Sequence, residues 1–61
     1  MKFKIGKFYK LIFDISGHTI TFLCKIDDID GDFVSFTDKF NKHLTYNIKN
    51  IISYEELKNG S

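Results

Sequence analysis

Two runs of alternating apolar and polar residues meet at Asp30-Gly31. In the first, His18 to Asp28, the side chains of Ile20, Phe22, Cys24 and Ile26 point one way. Those of Thr19, Thr21, Lys25 and Asp27 point the other. The second run is Asp32 to Asp38. A period of two marks a half-buried strand, and Asp-Gly between two such runs is a strong hairpin signal. This pattern predicts a small all-β domain.

The rest of the chain fits the same plan. Met1 to Lys7 is a short lead broken by Gly6, and the first strand is expected over Phe8 to Ile15. Tyr9, Leu11, Phe13 and Ile15 share one face, and Phe8, Lys10, Ile12 and Asp14 the other. A two-residue loop at Ser16-Gly17 sets Phe13 against Ile20, Leu11 against Phe22 and Tyr9 against Cys24. Register and apolar pattern then agree, as a hairpin with one buried face requires.

The central hairpin is harder to close. A two-residue Asp30-Gly31 loop would set Val34 against Asp27 and Phe36 against Lys25, with the apolar sets on opposite faces. A three-residue loop, Ile29-Asp30-Gly31, repairs this: Ile26 meets Val34, Cys24 meets Phe36, and Gly31 takes the positive-φ position. It is the preferred reading, and a bulge in a sharply bent second strand is the alternative. The next loop, Lys39-Phe40-Asn41, pairs Phe36 with Leu44 and Val34 with Tyr46, and Asn41 tolerates the left-handed position. It leaves Phe40 at a tip with no core to enter. A fourth strand over His43 to Ile48 is followed by a 3₁₀ turn at Lys49-Asn50 that lets the chain cross over. A fifth strand covers Ile51 to Tyr54, and Glu55 to Lys58 form a frayed helical turn.

With 61 residues the chain is expected to be one domain, residues 1–61, with 1–7 as lead-in and 55–61 as tail. Five short strands and tight turns predict a strongly bent antiparallel sheet that closes into a small barrel, since closure removes exposed edges. A chain this short buries only about 60% of its unfolded surface, so its stability is thin. Disulfides cannot help, because there is one cysteine; a lone Cys24 on the apolar face reads as a core residue in a reducing cytoplasm. Seven phenylalanines supply the core instead.

At this point the pattern resembles the SH3-like small β-barrels, and among them the Sm-like proteins. Lys4-Ile5-Gly6-Lys7-Phe8-Tyr9 is similar to the apolar-Gly-x-x-aromatic segment that leads into the first strand of many SH3-like domains. Phe22-Leu23-Cys24-Lys25-Ile26 through Ile29-Asp30, then Phe33-Val34-Ser35-Phe36-Thr37-Asp38, resembles the first Sm-like motif. Ile48-Lys49-Asn50-Ile51-Ile52 is similar to the second, which runs apolar-Arg-Gly before the last strand. Cys24 stands where that family has Gly, Asn50 replaces the Gly of the second motif, and the nucleotide-contacting Asn of the first has no counterpart. The resemblance implies a barrel, and through it RNA binding and self-assembly.

The residues themselves carry little chemistry. Asp28-Ile29-Asp30-Gly31-Asp32 looks like a calcium loop, but the twelfth position, where an EF-hand needs an acidic ligand, is Lys39. His18, Cys24 and His43 lack the spacing of a zinc site. No metal, no cofactor and no catalysis are expected, since so short a chain has little room for a concave reaction site. No apolar run reaches the length of a membrane span. Net charge is +1, from nine lysines and no arginine against eight acidic residues, so no broad basic surface and no bidentate phosphate fork are available.

Two binding roles remain. The first is a non-catalytic module for single-stranded RNA or DNA. It uses Lys39, Phe40, Lys42, His43, Lys49 and Asn50, with Lys4 and Lys7 from the basic lead, where an exposed aromatic stacks a base and ammonium groups meet phosphates. The second is a protein-interaction or oligomerising module, such as a regulator, a phage protein or an inhibitor. It uses the apolar residues on the polar face, Phe8, Ile12, Leu23 and Phe33, together with Asp28 and Asp30 of the acidic hairpin.

Overall fold

The computed structural model describes residues 2–58. Its strands are β1 (Phe8–Ile15), β2 (His18–Asp30), β3 (Phe33–Asp38), β4 (His43–Asn47) and β5 (Ile51–Leu57), with a 3₁₀ turn at Ile48–Asn50. All ladders are antiparallel, and the strand order is β4-β3-β2-β1-β5.

The first hairpin has the register that alternation predicts: Tyr9 opposite Cys24, Leu11 opposite Phe22, Phe13 opposite Ile20. The third does too, with Phe36 opposite Leu44 and Val34 opposite Tyr46. Its loop is Lys39-Phe40-Asn41, with Asn41 at φ 66. The Asp38 carboxylate holds that loop, accepting from the backbone N–H groups of Phe40 and Lys42, each at 2.9 Å.

The central hairpin corrects the preferred loop. Asp30 faces Phe33, so the connection is the two residues Gly31-Asp32, and the register shifts between Ile26 and Asp28. Asp27 is the bulged residue. Gly31, at φ 60, occupies the first central position, where a type II′ turn needs glycine. The physical reason lies in Ile29. The three-residue loop would strand it in the turn, whereas this arrangement sets Ile29 against Val34 and Ile26 against Phe36. Without the bulge, Ile26 would face Thr37.

β5 is also longer than expected. Glu55 to Leu57 continue the ladder with β1, Lys10 opposite Glu55 and Phe8 opposite Leu57, in place of a helical turn. Residues 59–61 of the expected tail lie outside the described residues. A second register shift, between Ile12 and Phe13, lets Ile51 enter the core and leaves Ile52 outside.

One core serves the sheet: Tyr9, Leu11, Phe13, Cys24, Ile26, Val34, Phe36 and Ile51 are buried. Fully burying a side chain of this kind contributes about 1.5–3 kcal/mol. Phe13, Phe22, Phe36 and Tyr46 contact one another, Phe13 and Tyr46 edge-on at 4.9 Å between centroids. The lead closes one end of the core. Gly6, at φ 87, sits third in a Lys4-to-Lys7 turn whose Lys7 N–H donates to the Lys4 carbonyl at 3.2 Å. That turn lays Phe3 edge-on against Tyr9 at 5.4 Å and Tyr54 at 5.0 Å. It also brings the Lys4 N–H to the Tyr9 hydroxyl oxygen at 2.9 Å.

The sheet is not closed. β4 and β5 are its edges, and no ladder joins them among the described residues. The short 3₁₀ turn carries the chain between the two edges, its Asn47 side chain accepting from the Lys49 N–H at 2.8 Å. The Ile48 N–H donates to the Asp32 carbonyl at 2.7 Å, which ties the crossover to the β2–β3 turn.

Candidate binding face

Cross-strand register builds one row of side chains across the whole sheet. Leu57 faces Phe8, Phe8 faces Lys25, Lys25 faces Thr37, and Thr37 faces His43. Alternation turns this row away from the core, since Tyr9 and Cys24 next to it are buried. Four strand spacings make the row about 19 Å wide.

Beside the row runs a groove of about 330 Å³. Phe8, Leu23 and Leu57 supply its apolar lining, and Lys25, Lys39, Thr37 and Asp38 its polar rim. Leu23 reaches Phe8 as a diagonal neighbour across β1 and β2. The rim's acid is already engaged, because Asp38 accepts the two loop N–H groups. Among the described residues, Lys25 and Lys39 make no ion pair. Lys39 instead places its Nζ over the Phe40 ring, 5.4 Å from the centroid, and Phe40 is 72% exposed.

At the β4 end of the row, Thr37 links Asp27 and His43. Its hydroxyl donates to Asp27 Oδ2 at 2.6 Å, so its oxygen accepts from His43 Nδ1 at 2.8 Å. A hydroxyl has one proton to give, so the Nδ1 proton must be on the ring, and Nε2 faces outward. The bulge at Asp27 sets this contact up by pushing an extra residue toward β3.

The expected nucleic-acid residues divide into two groups. Lys39, Phe40, Lys42 and His43 are brought together at the β3–β4 tip. Lys49 and Asn50 lie beyond the far end of β4, about 13 Å along the strand from His43. Lys7 immediately precedes the row at Phe8 and is exposed. The Lys4 ammonium lies 3.8 Å from Glu56, which offsets its charge. Tyr9, next along β1, is buried and offers no stacking surface.

The expected protein-contact residues divide as well. Phe8 and Leu23 belong to the groove. Ile12 lies farther along β1, half-buried between Thr21 and Ser53. Phe33, 51% exposed, stands opposite Asp30, and Asp28 opposite Ser35, at the far end of the β2–β3 hairpin. Sequence reasoning placed Lys25 and Leu57 on no site. The alternation did put Lys25 on the outer face, but its neighbours there depend on strand order. Leu57 fell in a segment read as tail.

Burial pushes the Cys24 thiol up to about 12, with Asp27 and Asp38 adding to the shift. It is a packed core group rather than a nucleophile. Among the described residues, no three His, Cys, Asp or Glu side chains gather as a metal site, and no helix is long and apolar enough to cross a membrane. Comparison with protein-family models, curated proteins and solved structures finds no match.

Proposed function

We propose that this chain is a non-catalytic module that binds single-stranded RNA or DNA across its outer face, on an architecture allied to the SH3-like and Sm-like small barrels. The observation that carries the reading is the β3–β4 tip. Phe40 is held in solvent with Lys39 over its ring and Lys42 two residues on. An exposed aromatic gives a base a stacking surface worth about 1–3 kcal/mol, and neighbouring ammonium groups meet the phosphates.

Lys25 extends this basic track inward along the row, and the groove at Phe8, Leu23 and Leu57 offers a second apolar seat. The polar groups nearest the groove are spent on internal bonds: Thr37 on Asp27 and His43, and one Asp38 oxygen on the loop. Few donors remain to read base edges, so binding discriminates weakly between sequences. Lys49, Asn50 and Lys4 take no part in this face.

The test is fluorescence anisotropy of labelled random RNA and DNA oligonucleotides at low and physiological salt. Micromolar binding that weakens with salt, and weakens further in Phe40→Ala and Lys42→Ala, is the expected result. No binding even at low salt would retire the proposal.

A further inference from the structure

The outer face carries a second patch that complements the groove. Around the Gly31-Asp32 turn, Asp28, Asp30 and Asp32 are exposed, and none of them makes an ion pair among the described residues. Phe33 stands among them, half in solvent, opposite Asp30. The groove has the inverse composition: an apolar lining of Phe8, Leu23 and Leu57 beneath the ammonium groups of Lys25 and Lys39, neither of which meets a carboxylate among the described residues. The two patches lie on one face of the sheet, because Phe33, Ser35 and Thr37 alternate outward along β3. From Phe33 to Thr37 is about 13 Å of strand.

We infer that, in the nucleic-acid-free protein, the occupant of the groove is Phe33 of a second copy of this chain, so that self-association and nucleic-acid binding compete for one seat. In the dimer, Asp30 and Asp32 meet Lys25 and Lys39. Two complementary patches on one face are exchanged by a two-fold axis lying in the interface, perpendicular to the line that joins them. Both contacts then form at once, and the assembly closes at two chains. Each aromatic leaves water for an apolar seat, and each charge meets its opposite at the rim, the arrangement of a central anchor with a polar surround.

The test is sedimentation equilibrium of the nucleic-acid-free protein from micromolar to millimolar concentration, so its result does not depend on the nucleic-acid proposal. The expected mass rises from one chain to two and no further. Phe33→Ser weakens association about tenfold or more, and higher salt weakens it too. Lys25→Glu with Lys39→Glu gives a monomer, as does Asp30→Lys with Asp32→Lys. Mixing these two variants restores a dimer, because both contacts regain opposite charges. All the substituted side chains lie outside the core, and circular dichroism confirms that each variant is folded. A monomer at every concentration would overturn the inference. So would a dimer that ignores Phe33→Ser, or a charge-reversed pair that fails to associate on mixing.

Discussion

Ile26 and Ile29 both turn toward one core although they are three residues apart on the same strand. Strict alternation would send one of them into solvent. Asp27 absorbs the odd residue as a bulge, and the bend it introduces helps one sheet wrap a single core. Deleting Asp27 would leave Ile26–Phe36 and Ile29–Val34 paired as a plain ladder, and would cost the bend and the Thr37–Asp27 hydrogen bond, at about 1 kcal/mol. The urea midpoint of the deletion variant should fall modestly. Loss of the fold would mean that the bend itself, and not the register alone, holds the sheet around its core.

Phe36 is fully buried and touches Phe13, Phe22 and Tyr46. Truncating such a ring to alanine costs about 3–5 kcal/mol. A chain of this length has about 3–9 kcal/mol in total. Phe36→Ala should therefore lose most of its stability, which a steep fall in the urea midpoint will show.

Ser16 adopts φ 52 in the β1–β2 turn, the left-handed region that a serine side chain disfavours. Asparagine tolerates it and is preferred there in two-residue hairpin turns. Ser16→Asn should raise stability by about 0.5–1 kcal/mol, the scale of compatible turn substitutions. The expected readout is a higher melting temperature with the binding face unaffected.

Cys24 keeps its proton to about 12, against an ordinary 9.0, because burial disfavours the thiolate and Asp27 and Asp38 repel it. The unfolded chain releases that proton first as pH rises. The neutral thiol therefore favours the fold fully below pH 9.0, and its contribution is lost between 9.0 and about 12. Compared with Cys24→Val, the natural protein should lose more stability across that window when urea midpoints are followed with pH. At neutral pH, Cys24 should react with aromatic disulfide reagents only after denaturant is added.

Much of this architecture is readable from alternation alone. The Tyr9–Cys24, Leu11–Phe22 and Phe36–Leu44 pairings follow from matching apolar residues across short turns, and Asn41 marks its loop by its own conformational tolerance. At the central hairpin the pattern favours the three-residue loop and leaves the β2 bulge, which the structure has, as the alternative, because a shifted loop imitates a bulge in the pattern. Closure into a barrel is the expectation, and no β4–β5 ladder is found among the described residues, because that pairing depends on how far the sheet bends, which no local pattern records. Of the face itself, the exposed tip at Phe40 could be foreseen. The row from Leu57 to His43 could not, since it joins residues from five strands whose order only the fold supplies.

The most direct measurement is NMR titration of the ¹⁵N-labelled protein with a short single-stranded oligonucleotide at low salt. Shift changes should concentrate on Lys25, Thr37 to His43, Phe8 and Leu57, and should fade in Phe40→Ala. Changes centred on Lys49 and Asn50, or none at all, would contradict a binding face built on the outer row and the β3–β4 tip.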